Sequence, residues 1–116
     1  MIKDYSSQRD IKISVKIGRQ IRLINIEEIV YIKCDGYVTT IHFIQEKPIS
    51  TTRLLKYYEL ELSKFDFIRV NRNNLVNAKY VLSIDFVERP RLIIEPNEII
   101  YISNRKLLKI KQIISN

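Results

Sequence analysis

Phe67-Ile-Arg-Val-Asn-Arg-Asn-Asn-Leu-Val-Asn77 sets two arginines and four asparagines between apolar anchors and contains no carboxylate. A solvated loop ordinarily mixes charge signs. This one offers forked guanidinium donors and amides, the side chains that match phosphate oxygens and base edges. It reads as a strand, Phe67 to Val70, running into a loop that faces something anionic, with nucleic acid the first candidate.

The same bias extends outward in both directions. From Ile11 to Ile26 the only charged residues are Lys12, Lys16, Arg19 and Arg22, and from Ile99 to Asn116 they are Arg105, Lys106, Lys109 and Lys111. The net charge of +7 is therefore clustered, an arrangement that speeds encounter with polyanions. Scattered surface lysines would give a similar total, but not the Arg/Asn chemistry of 69–77.

A chain of 116 residues, 46% of them hydrophobic, can bury a core as one domain without metals or disulfides. Charged residues interrupt every apolar run, and the polar start has no signal-peptide core, so the cytoplasm is the expected compartment. With Cys34 the only cysteine, no internal disulfide or multi-cysteine zinc site is possible. No nucleophile-base pair, metal-ligand spacing or glycine-rich phosphate loop is present, so neither an enzyme nor a cofactor is expected.

Residues 1–10 read as a flexible leader or linker remnant, and 11–116 as the domain. Ile11, Ile13, Val15 and Ile17 alternate with polar residues, and Gly18-Arg19 turns the chain into Gln20–Ile24, a hairpin. Asn25 is placed to cap a short turn at 26–29. Val30–Lys33 and Tyr37–Ile44 form a second hairpin around Asp35-Gly36, and Ile49–Thr52 is a short strand. Thr52 is expected to cap a helix burying Leu54, Leu55, Tyr58 and Leu62 and ending near Lys64. Strands follow at Tyr80–Val87, Leu92–Glu95 and Ile99–Ile102, and Ser103 is expected to cap a terminal helix with Leu107, Ile110 and Ile114 inward.

This order of elements, together with the residues quoted, resembles a LytTR-type DNA-binding domain, the output module of many bacterial response regulators. The resemblance covers roughly Ile11 to Ile114. Its most specific part is the family run Phe-x-Arg-x-His-Arg-Ser-x-Leu-Val-Asn, met by Phe67, Arg69, Arg72, Leu75, Val76 and Asn77. Ile26-Glu-Glu-Ile-Val-Tyr-Ile32 with Tyr37 following, the helix Leu54–Leu62, and Ile102-Ser-Asn-Arg105 also match. Asn71 stands where the family usually has histidine, Asn73 where it has serine, and Asn104 where it often has arginine.

The resemblance implies a mainly β, elongated fold of short antiparallel sheets with one central helix and a C-terminal helix. It implies sequence-specific binding of double-stranded DNA by loop side chains in the major groove, in a transcription regulator of a two-component system. Paired direct repeats as target, a dimer on DNA, a monomer or weak dimer in solution and a receiver domain in a longer parent chain are further implications. Carried over by position, Tyr37, Arg72 and Arg105 are the base-edge candidates, and Arg69, Asn71, Asn73 and Lys106 complete the DNA-binding set.

Each residue also has a plainer reading. Arg69 suits a strand-edge residue paired with a carboxylate, and Asn71 and Asn73 suit turn formers. Asn77 reads mainly as a structural amide tying the loop to the backbone. Lys109 and Lys111 read as solvated, His42 as a packed or surface strand residue, Cys34 as a small hydrophobe, and Glu27/Glu28 and Glu59/Glu61 as solvated pairs. A competing function is a single-stranded nucleic acid or RNA-binding β module stacking bases on Tyr31, Tyr37 and Phe43.

Overall fold

The computed structural model describes residues 11–115, so the leader read at 1–10 lies outside the described residues. Ten strands are laid out in three antiparallel sheets, with two helices between and after them. β1 (Lys12–Ile17) and β2 (Gln20–Asn25) form a hairpin sheet. β3 (Ile29–Asp35), β4 (Val38–Phe43), β5 (Ile49–Thr51), β6 (Phe67–Asn71) and β7 (Asn74–Asn77) form a five-stranded sheet in the order β5-β4-β3-β7-β6. β8 (Val81–Asp85), β9 (Arg91–Ile94) and β10 (Glu98–Tyr101) form the third, ordered β10-β9-β8. Helix α1 is Leu55–Leu62 and helix α2 is Leu107–Ser115.

Because successive strand residues point to opposite faces, the five-stranded sheet feeds two cores. Ile29, Ile32, Ile41, Phe67 and Leu75 pack with Ile13, Val15 and Ile24 of the hairpin and with Leu55, Tyr58 and Leu62 of α1. Val30, Ile68, Val70 and Val76 pack on the other side with Leu92, Ile94 and Ile100 of the third sheet and Ile110 of α2. The central sheet is thus a middle layer covered on both faces, and the short sheets spread over 43 × 40 × 24 Å.

Several local expectations hold in atomic detail. Asn25 Oδ1 accepts from Glu27 N at 2.9 Å and opens the short 3-10 turn Ile26–Glu28. Asn77, 4% exposed, does the same for Ala78–Tyr80, accepting from Lys79 N at 3.1 Å, while its Nδ2 donates to Ile29 O at 2.9 Å. Leu107 and Ile114 pack beside the buried Ile110.

Other expectations are corrected. Residues 71–77 are not one loop: Asn74–Asn77 is strand β7, paired with β3 on one side and β6 on the other. Leu75, Val76 and Asn77 are all buried, so a central strand covered on both faces shows no alternation to read. The loop shrinks to the turn Arg72-Asn73. Tyr80 lies in a 3-10 turn, and the following strand ends at Asp85. Leu54 is 60% exposed because it precedes α1 as its N-cap, and no side chain caps that helix; Thr51 Oγ1, not Thr52, accepts from Arg53 N. Ser103 likewise makes no side-chain cap, its backbone oxygen accepting from Lys106 N at 3.0 Å at the 3-10 turn Asn104–Lys106 that leads into α2.

Candidate nucleic-acid interface

Strand register decides which turns share an end of the molecule. Lys33 pairs with Asn74 and Asp35 with Val38, so the β3–β4 turn carrying Tyr37 and the β6–β7 turn carrying Arg72 lie side by side. A hydrogen bond from Cys34 N to Asn73 O at 2.8 Å joins the two tips. The exit of β10 is fastened to the same end by Ser103 N donating to Val70 O at 3.0 Å and Asn71 Nδ2 donating to Tyr101 O at 2.6 Å. Arg105 and Lys106 follow directly.

The result is a cleft of about 510 Å³ lined by Glu59, Arg69, Asn71, Arg72, Ser103, Arg105 and Lys106. Among the described residues its one carboxylate is already engaged, since Glu59 Oε1 holds Arg69 Nη1 at 2.7 Å. Among the described residues no ion pair engages Arg72, Arg105 or Lys106. Three cations left without counter-charge on one side suit an anionic ligand.

The seven sequence-derived candidates divide by what their side chains do. Arg72, Asn73 and Arg105 are exposed, Lys106 is half-buried beside them, and Tyr37 on its turn is 93% exposed. Arg69 is committed inside the fold: besides the pair with Glu59, its Nε donates to Asn71 O at 3.0 Å and its Nη2 to Arg72 O at 2.6 Å. Asn71 organises the turn, its Oδ1 accepting from Asn73 N at 2.8 Å and from Asn74 Nδ2 at 3.1 Å. The plainer readings of Arg69 and Asn71 thus describe their contacts in this structure. Glu59 departs from the expected solvated pair: it is an ion-pair partner of Arg69, and no spacing in the sequence ties residue 59 to residue 69. Glu27 also leaves the solvated class, pairing with Lys79 at 2.5 Å.

A second cleft adjoins the first through Asn71, Arg72 and Ser103 and adds Tyr31, Lys33, Arg89, Tyr101 and one carboxylate, Glu98. Arg89, which the sequence reading passed over, lies 4.1 Å from the Tyr101 ring centroid and adds a cation to this end. The dipeptide Arg89-Pro90 signals a turn, and nothing local aims it at the cleft.

The aromatic residues do not form a stacking surface. Tyr31 is stacked on His42, centroids 4.2 Å apart, and faces the second core, whereas Phe43 packs against the first. Burial, then the negative charge of Glu98, pushes the Tyr31 phenol up. Burial pushes the His42 imidazole down, with Glu98 opposing and Lys33 reinforcing. Tyr37 alone of the three is exposed. Cys34 is half-buried, its Sγ within 3.4 Å of Gly36 O.

No helix among the described residues is long and apolar enough to cross a membrane. Residues 19–115 match the family model described as the LytTr DNA-binding domain. The transcriptional regulatory protein LytR of Staphylococcus aureus strain bovine RF122 / ET3-1 is 30% identical over 84 residues, 72% of this chain and 34% of that protein. The sensory transduction protein LytR of Staphylococcus saprophyticus is 24% identical over 71 residues, 61% of this chain and 28% of that protein. The chain thus spans about a third of the length of these curated relatives. Among solved structures, the LytTr DNA-binding domain of a methyl-accepting/DNA response regulator from Bacillus cereus superposes with a TM-score of 0.74 at 18% identity, covering 90% of this chain and 97% of that one. On the family match and the shared fold together, the chain belongs to the LytTr DNA-binding domain family.

Proposed function

We propose that residues 11–116 bind double-stranded DNA sequence-specifically, as the output part of a bacterial transcription regulator acting in the cytoplasm. Arg72, Arg105 and Tyr37 reach base edges in the major groove, and Lys106 contacts phosphate. The observation that carries this reading is the cleft where Arg72, Arg105 and Lys106 converge while its carboxylate, Glu59, is held by Arg69. An exposed arginine can give two hydrogen bonds to guanine O6 and N7, whereas tyrosine suits a phosphate or a thymine methyl. Asn71 and Asn73 set the turn that presents Arg72, and Asn73 is itself exposed for contact.

Two copies on paired direct repeats, monomeric or weakly dimeric when free, and control by a receiver domain in a longer parent chain complete the proposal. Selection from a random duplex pool, followed by competition with single-stranded oligonucleotide, tests it. Enrichment of a defined duplex that single strands fail to displace is expected. Efficient displacement by single strands would favour the β-module reading instead.

A further inference from the structure

The turn that carries Arg72 has no left-handed residue to shape its backbone and is held by side chains. The other two hairpins with two-residue connections use glycine in the left-handed region, Gly18 at φ 59° and Gly36 at φ 63°. Arg72-Asn73 has neither a glycine nor a positive φ, and the strand pairing before it is irregular between Arg69 and Asn71. Such a turn matches the twist of its strands poorly, so side chains must hold it, and Asn71 Oδ1 does so from within, accepting from Asn73 N at 2.8 Å.

Arg69 does so from the side. One guanidinium reaches two successive points of the turn backbone, Asn71 O at 3.0 Å and Arg72 O at 2.6 Å, through different nitrogens. Its third contact is Glu59 Oε1 at 2.7 Å, on α1 and therefore on an element packed into the core. With the Arg69 and Glu59 side chains 22% and 34% exposed, water competes for these bonds less than at an open surface.

We propose that Glu59 and Arg69 are positioning residues that fix the Arg72 turn to α1 and thereby set base discrimination, without Arg69 itself engaging DNA. This rests on the DNA reading above. Glu59 acts in two opposed ways. It rigidifies the turn, which favours the cognate duplex, and it places a carboxylate in the cation cleft, which disfavours every duplex equally.

The two substitutions to make are Glu59→Gln, which weakens the hold on Arg69, and Arg69→Lys, which keeps the charge but loses the fork that spans two carbonyls. Binding to a selected and to a scrambled duplex is measured at fixed salt, and backbone order parameters of Arg72 and Asn73 are measured in the free protein. Both variants are expected to lower those order parameters from a rigid value of about 0.85 toward about 0.6, with Ile32 unchanged. Both should reduce the selected-to-scrambled ratio by roughly fivefold or more, non-additively with Arg72→Ala. Glu59→Gln should at the same time bind the scrambled duplex as well as wild type or better.

Unchanged order parameters in both variants overturn the proposal whatever DNA does. A loosened turn with an unchanged ratio overturns its link to discrimination. Tighter binding of both duplexes by Glu59→Gln, with Arg69→Lys like wild type, would make Arg69 a phosphate contact instead. Lack of discrimination by wild type would refute the DNA-specificity reading, and the order parameters would still decide the clamp.

Discussion

Replacing Asn77 by alanine removes two bonds at once from a side chain that is 4% exposed. The first is the cap to Lys79 N at 3.1 Å, a kind of bond whose loss costs about 1 kcal/mol. The second is the Nδ2 donation to Ile29 O at 2.9 Å, which ties the end of β7 to the start of β3. Stranding a buried carbonyl costs about 1–3 kcal/mol, so the sum is roughly 2–4 kcal/mol, a large share of a typical domain stability of about 5–15 kcal/mol. Urea unfolding should show a midpoint lowered by about 1–3 M with an unchanged slope. Asn77→Asp refines the test: the acceptor for Lys79 N survives, but an ionised carboxylate would face the Ile29 carbonyl. Its folded-state pKa is then raised, so relative to wild type the variant is least impaired below the unfolded carboxylate value of about 3.9 and loses stability as pH rises toward the folded value. An alanine variant within about 0.5 kcal/mol of wild type, or an aspartate variant with no such pH trend, would refute the role assigned to this amide.

Three further outcomes are expected. Lys106→Ala should weaken binding to selected and scrambled duplexes alike and reduce the slope of log K against log salt by about 0.9, the value for one phosphate contact, read from titrations at several salt concentrations. Tyr37→Ala should leave the melting temperature unchanged, the side chain being 93% exposed, while lowering affinity for the selected duplex in a gel-shift series. His42 is held below its ordinary value chiefly by burial, so its contribution to stability is complete above about 6.5 and is lost as pH falls through the lowered folded value. Melting curves of wild type and His42→Phe should therefore diverge in slope between pH 7.5 and pH 5.5, wild type losing more.

Local chemistry was legible in the sequence and tertiary pairing was not. The alternation of Ile13 and Val15 with lysine and serine, and the Gly18 turn, encode the first hairpin within a dozen residues, and the asparagine cap at 25 rests on a bond to the residue two positions on. The family run at 67–77 singled out Arg72 and the separate match Ile102-Ser-Asn-Arg105 singled out Arg105, and both side chains are exposed. What stayed hidden depends on partners far along the chain. Strand β7 is a strand because β3 and β6 flank it, and its buried Leu75-Val76-Asn77 carries no period of its own. Leu54 and Leu55 are adjacent apolar residues, and only the start of α1 decides that the second is buried at 4% and the first is not. Sequence leaves Arg69 between a DNA-facing cation and a strand residue paired with a carboxylate, because that carboxylate sits on a helix ten positions earlier. The same blindness hid Arg89, whose approach to Tyr101 comes from the pairing of β9 with β10, Tyr101 lying opposite Arg91.

Affinity of Arg72→Ala, Arg105→Ala and the double variant for a selected duplex, against a scrambled one, addresses the shared cleft most directly. Each bidentate base contact accounts for about 1–3 kcal/mol of discrimination, so each single variant should lose roughly 5- to 150-fold for the selected duplex and far less for the scrambled one, at an unchanged melting temperature. Wild-type discrimination retained by both single variants would contradict the assignment of these two arginines to base recognition.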